Sequence, residues 1–175
     1  IAFARVLPAK IPRIALVDFN NDSIGDSLTV CRRMFDEYRK LIEAGQPVEA
    51  ERYRLYGVRL DTSASLRDLS ITPLGAPELD LGVNPRLVFQ VRQALDNASE
   101  TWNLPAEWVQ PAREFCRAVR IVVSGGFNPE KITRFEKLAV PVDIYAVGSA
   151  LFNNSATTVT DYTADVVRVK VNGNW

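Results

Sequence analysis

An α/β protein of parallel strands is the expectation, and three observations carry it. Short apolar runs recur at residues 14–17, 55–60, 119–123 and 143–147, each closing on a loop of acidic or small residues. Between them stand segments whose apolar residues recur at helical spacing. Such alternation asks for a parallel sheet with helical crossovers, which are right-handed almost without exception.

Taken in order, Pro12-Arg13 leads into the strand Ile14-Ala15-Leu16-Val17, which ends on Asp18 and breaks into a polar loop, Phe19-Asn20-Asn21-Asp22-Ser23. From residues 27–44, Leu28, Cys31, Met34 or Phe35, Tyr38, Leu41 and Ile42 mark one face of an amphipathic helix, and Gly45 supplies its C-cap. A polar linker at 46–54 precedes the strand Leu55-Tyr56-Gly57-Val58-Arg59-Leu60-Asp61, which closes on Thr62-Ser63-Ala64-Ser65. Asn84-Pro85 and Asn128-Pro129 each open a helix, Asn as N-cap and Pro at the first helical position. Leu87, Val88, Val91 and Leu95 give the first of these its apolar face. Residues 99–111, with Trp102, Trp108, Pro105 and Pro111, read as an irregular connector, with a helix resuming at 112–117. The strand at 119–123 runs into Ser124-Gly125-Gly126, and the one at 143–147 into Gly148-Ser149-Ala150. After Asn153-Asn154 the pattern alternates over 160–171 and ends in Asn172-Gly173, the signal of a β-hairpin arm. The four strands make either a small open sheet or half of an eight-stranded barrel, and in both the functional residues gather at the strands' C-terminal ends.

Composition narrows the function. The 175 residues hold 21 basic and 21 acidic side chains, so no global field draws nucleic acid or an anionic membrane, and an anion must be held locally. No apolar run is long enough to span a bilayer, and Cys31 and Cys116 lie far apart in helix-like segments, as buried thiols in a reducing compartment would. A cytoplasmic protein is expected. Histidine is absent, which removes a His-based triad and a His metal site. The start at Ile-Ala-Phe and the end at Asn-Gly-Asn-Trp are those expected of part of a longer protein.

At the strand ends, Arg59 and Asp61 are two apart and face the same side. A planar guanidinium beside a carboxylate suits a ligand with an anionic group and hydroxyls, and equally a structural ion pair. Ser124, Gly125 and Gly126 with Gly148 and Ser149 let a backbone approach an anion and present N–H groups to it, although a Gly-Gly pair alone is commonly just a tight turn. Asp18 suits hydroxyl recognition, a metal-bound water, stabilisation of positive charge, or plain helix capping.

Five stretches together resemble the nicotinate phosphoribosyltransferases, members of the type II phosphoribosyltransferases: IALVD at 14–18, YGVRLD at 56–61, RIVVSGG at 120–126, VDIYAVGS at 142–149 and TADVVRVKVNG at 163–173. The resemblance implies an irregular (β/α) TIM-like barrel, of which residues 1–155 supply the later βα units and residues 156–175 an arm returning toward a small domain outside this chain. It implies transfer of phosphoribose from phosphoribosyl pyrophosphate to nicotinate, giving nicotinate mononucleotide. Mg²⁺ on the pyrophosphate, ATP as co-substrate and a homo-oligomer with sites at the interface come with it. By the same resemblance Arg59 neutralises anionic groups near the ring, Asp18 and Asp61 hold ribose hydroxyls or Mg²⁺-bound water, and Ser124, Gly125, Gly126, Gly148 and Ser149 cradle the 5′-phosphate.

Two positions depart from the family. Thr62-Ser63-Ala64 follows Asp61 where the family has Ser-Gly-Asp, and Phe19 stands where it has Thr. The histidine that the family phosphorylates with ATP is expected upstream of Ile1, so this chain alone is expected to lack ATP-coupled activity. Two alternatives stand beside this reading: a non-catalytic relative acting as a binding or assembly module, and another phosphate-binding barrel enzyme such as an aldolase or isomerase. A Schiff-base aldolase needs a lysine at a strand end, and no lysine lies at one in the sequence.

Overall fold

The computed structural model of the chain describes residues 1–151 and Asn172. Apart from Asn172, the expected hairpin arm and the 156–175 region lie outside the described residues.

Four parallel strands, β1 (Arg13–Leu16), β2 (Leu55–Leu60), β3 (Arg120–Val123) and β4 (Ile144–Tyr145), form one sheet in the order in which they occur in the chain. The fold is therefore α/β with a parallel sheet, as its sequence pattern requires. Around the sheet run the helices α1 (Ala2–Val6), α2 (Ser23–Glu43), α3 (Pro47–Ala50), α4 (Pro77–Asp80), α5 (Pro85–Asn97), α6 (Ala106–Arg117) and α7 (Pro129–Lys137).

Register decides which side of the sheet is core. Val17, Val58, Leu60, Ile121 and Val123 fall on one face and are buried beneath the helices. The opposite face carries Ile14, Leu16, Arg59 and Val122, since Leu16 pairs with Arg59 and Arg59 with Val122. There Ile14 is 43% and Leu16 50% exposed while Val122 is buried, so among the described residues this face is open along β1. A strand order without reversal places successive crossovers on the same side, whereas a doubly wound sheet would reverse its order and carry helices on both.

Helix termini follow local chemistry. Asn84 accepts from Leu87 N–H and Asn128 from Lys131 N–H, each with Pro at the first helical position. Gly45, with φ +71°, ends α2: its amide donates to Ile42, and Gln46 N–H to Leu41. The helix α2 begins at Ser23, four residues before its apolar periodicity, because the Asp22 carboxylate caps Gly25 N–H. A second difference from the sequence pattern is at Pro111, which lies inside α6 rather than ending a connector. Residues 109–111 are exposed, so the carbonyl that Pro111 leaves without a donor is solvated.

Helix-to-helix packing centres on Phe35 of α2, whose ring lies 5.2 Å from Trp102, 5.3 Å from Phe115 and 6.0 Å from Trp108. Both Met34 and Phe35 are buried, so the helix uses the two positions that periodicity offered as alternatives. Cys31 and Cys116 are buried free thiols in contact across α2 and α6, their sulfurs 3.7 Å apart. Under α7, Phe127, Phe135 and Tyr145 form a second aromatic cluster that joins it to β3 and β4. Among the described residues no helix is long and apolar enough to cross a membrane.

Candidate functional site

All the residues singled out at strand ends lie along one edge of the sheet, because parallel strands point their C-termini the same way. Arg59 stands on the face that is open along β1, its Nη2 3.6 Å from Asp61 Oδ2, with both side chains more than a third exposed. An exposed pair of that length contributes little to stability. Arg59 Nε is buried and has no hydrogen-bond partner among the described residues. Asp18 is close enough to Asp61 to feel its charge. Burial raises the Asp18 pKa above the usual carboxylate range, the backbone amides of Asp18 and Asp61 oppose this, the Asp61 charge adds to it, and Arg59 lowers it.

Gly125 connects these acids to the glycine loops. A Cβ on Gly125 would meet Asp61 Oδ1 at 3.5 Å and Thr62 O at 3.4 Å, and its φ of +85°, followed by +69° at Gly126, is a backbone that L side chains adopt at a cost. Ser124, Gly125 and Gly126 together with Gly148 and Ser149 line one cavity of about 290 Å³. The structure thus brings the two loops to a single space. Among the described residues the amides of Gly125, Gly126, Gly148 and Ser149 donate to no acceptor. Gly148 has an ordinary φ, and among the described residues nothing lies within 4 Å of where its Cβ would be.

Ser124 departs from its expected part. Its amide donates to Leu60 O at 2.9 Å and its hydroxyl to the same carbonyl at 3.1 Å, so its donors pin β3 to the end of β2. The backbone donors of these loops without a partner among the described residues are the amides of Gly125, Gly126, Gly148 and Ser149. Lys131 lies on the first turn of α7 and not at a strand end, as the sequence places it, yet it folds back so that Nζ donates to Gly125 O at 3.2 Å over the Phe127 ring.

Two buried carboxylates that sequence patterns do not mark hold this edge in place. Asp68 accepts from Ser23 N–H at 2.9 Å, Ser23 Oγ at 2.6 Å, Ser70 N–H at 3.0 Å and Ser70 Oγ at 2.5 Å, which ties the loop after β2 to the start of α2. Asn21 reinforces the tie, donating to Arg67 O and accepting from Leu69 N–H. Asp80 accepts from Leu74 and Gly75 N–H and from Arg86. A helical or strand period does not register such residues, because what fixes them is hydrogen bonding to loop amides and to the ends of other elements.

The pKa of Asp80 sets a pH dependence. Burial by itself pushes its carboxyl up, but the Leu74 and Gly75 amides and Arg86 outweigh that and hold it below the usual range. A carboxylate lowered on folding contributes stability that is complete above its unfolded pKa and is lost as pH falls through its folded value. Urea midpoints measured across pH are expected to fall below about pH 4, and Asp80→Asn should make that fall shallower. An unchanged acid limb in the variant would remove Asp80 from this part.

Among the described residues no three His, Cys, Asp or Glu side chains group as metal ligands. Asp18 and Asp61 are two neighbouring carboxylates, oxygen ligands of the type Mg²⁺ takes, and by themselves too few to complete its shell without water. A chain without histidine does not fit phosphohistidine chemistry with ATP. No family model, curated protein or solved structure matches the chain.

Proposed function

We propose that the chain is part of a phosphoribosyltransferase of the nicotinate type, and that its sheet edge holds nicotinate mononucleotide. One observation carries this reading: a guanidinium with an unpartnered donor, two neighbouring carboxylates and four unpaired loop amides share one strand edge. A nucleotide product needs these groups, its 5′-phosphate at the loops after β3 and β4 and its ribose and base at the ends of β1 and β2.

In this reading the Gly125, Gly126, Gly148 and Ser149 amides hold the phosphate, and open space at Gly148 lets its oxygens reach the backbone. Asp18 and Asp61 face the ribose. The nicotinate ring nitrogen forms a bond to C1 as the bond from C1 to the pyrophosphate oxygen breaks, the electron pair leaving with pyrophosphate. Fixed carboxylates stabilise the positive charge that develops at C1. Mg²⁺, when bound with the pyrophosphate, neutralises the leaving group. Arg59 pairs with the anionic groups at the base end.

An eight-stranded barrel is the architecture that this reading requires. Support for it comes from the unreversed strand order and from the exposure of Ile14 and Leu16 on the sheet face that a barrel turns inward.

Calorimetric titration with nicotinate mononucleotide tests the site. Arg59→Ala removes charge-assisted hydrogen bonds and should weaken binding by roughly 10-fold or more. Gly148→Ala should fold normally, since its Cβ meets nothing within 4 Å, yet should weaken binding by placing a methyl where the phosphate approaches. If both variants bind as the parent chain does, the nucleotide does not lie on this edge.

A further inference from the structure

The chain has two cysteines, and although 85 residues separate them the fold brings one against the other. Cys31 lies midway along α2 and Cys116 in the last turn of α6, both 0% exposed, with 3.7 Å between their sulfurs. A buried thiol by itself behaves as a small apolar side chain. Two in contact have a second chemistry open to them, since a disulfide holds its sulfurs about 2 Å apart. Neither thiol lies on the nucleotide edge.

Their surroundings give the two sulfurs different parts. The Cys31 S–H donates to Cys116 Sγ, which lowers the Cys116 pKa and raises that of Cys31. The Ser99 amide and the Arg92 charge also favour a Cys116 thiolate, against burial and the Asp96 charge. Arg92 is anchored beside it, donating to Cys116 O at 3.2 Å and to Val119 O at 2.6 Å. A thiolate is the attacking species in disulfide exchange, so Cys116 is the sulfur that reacts first. Access comes at the end of α6, where only Arg117 follows Cys116 in the helix and where Pro111, one and a half turns earlier, has no amide to donate. Helix ends open locally at far lower cost than the whole domain unfolds.

We propose that Cys31 and Cys116 form a reversible dithiol–disulfide site, closed by a low-molecular-weight disulfide and reopened by the corresponding thiol. The Cys116 thiolate attacks one sulfur of the reagent, whose S–S bond breaks as one thiolate leaves. Cys31 then loses its proton to solvent and attacks the Cys116 sulfur; the mixed disulfide breaks and the second thiolate leaves. Two electrons and two protons have passed to the reagent, which ends as two thiols, while the chain gains one S–S bond. That bond ties the middle of α2 to the end of α6 and closes a loop containing β2 and α5. It thereby fixes the helix that follows the Asp18 loop against the helix that leads into β3. The site stands whether or not the edge binds a nucleotide.

The test equilibrates the 175-residue chain in mixtures of reduced and oxidised glutathione, folded in buffer and unfolded in concentrated urea, then quenches with acid and reads free thiols by alkylation and intact mass. At a given mixture the ratio of bridged chain to dithiol is expected to be roughly 100-fold higher in the folded chain than in urea. By linkage the bridge stabilises the fold by the same factor, so the bridged chain should unfold at a higher urea midpoint and return to the dithiol midpoint on reduction. Peptide mapping should place the bond between Cys31 and Cys116 within one chain. In Cys31→Ala the remaining Cys116 should take up glutathione roughly 10-fold faster than Cys31 does in Cys116→Ala. A ratio no higher in the folded chain than in urea, a lowered midpoint in the bridged chain, or mixed disulfides with glutathione in place of the bridge would each overturn the site. The reverse order of the two alanine variants would overturn attack by Cys116.

Discussion

Replacing Asp68 with alanine is expected to cost about 4 kcal/mol of folding stability. The carboxylate is fully buried and accepts four hydrogen bonds, from the amide and hydroxyl of Ser23 and the amide and hydroxyl of Ser70. Ser23 is itself buried, so truncation strands two of its donors away from water, at roughly 1–3 kcal/mol each. Asp68→Asn should cost less, since it keeps the shape and one acceptor oxygen. Urea denaturation measures both: the midpoint should fall while the slope stays constant, because the surface exposed on unfolding is unaltered. The loss should also reach the site, because Asp68 holds the loop after β2 against the start of α2 and so sets the spacing of Asp61 from Asp18. Hydrogen exchange at the Ser23 and Leu69 amides should accelerate more than at Leu60. A cost below about 1 kcal/mol would mean that water replaces the carboxylate without penalty, and that these loops are positioned by something else.

Phe35→Ala is expected to be at least as damaging, at about 4–5 kcal/mol. The ring is 0% exposed and sits among Trp102, Trp108 and Phe115, so its removal leaves a cavity and breaks three aromatic contacts. Total stability for a domain of this size is of the order of 5–15 kcal/mol, so this one truncation removes a large part of it. Phe35→Leu refills most of the space and should cost only about 1–2 kcal/mol. Urea melts followed by tryptophan fluorescence read the change directly, since Trp102 and Trp108 flank the cavity. Should alanine cost no more than leucine, the cluster has collapsed around the gap and does not govern the packing of α2 on α6.

These two residues show where legibility ends. Phe35 stands at a position that helical periodicity marks as core, and only the choice between it and Met34 was open. Asp68 lies in a stretch without period or motif, and its partner Ser23 is 45 residues away in the chain. The candidate site divides in the same manner. Asp18, Arg59, Asp61 and the glycine loops were legible, because a strand followed by acidic or small residues has a local signature. The backward fold of Lys131 onto Gly125 O was not, since it depends on what surrounds the side chain in space. Ser124 was legible as a loop residue, yet its donors turn to Leu60 of the neighbouring strand. The start of α2 was misplaced because the Asp22 cap precedes the apolar face by a full turn, and the start of α6 because Pro111 could be tolerated only where its neighbours are solvated.

The alternating sheet and helix pattern, the Asn-Pro helix starts, the Gly45 cap and the collection of site residues at strand ends were all written in near-neighbour chemistry. Dihedral preference, capping and period act within a few residues, so a single chain displays them without its fold. Strand order, the sheet face open along β1, the meeting of the two glycine loops in one cavity and the contact of Cys31 with Cys116 came from packing. They depend on which distant segments exclude water from one another, a property of the assembled core and of no shorter stretch.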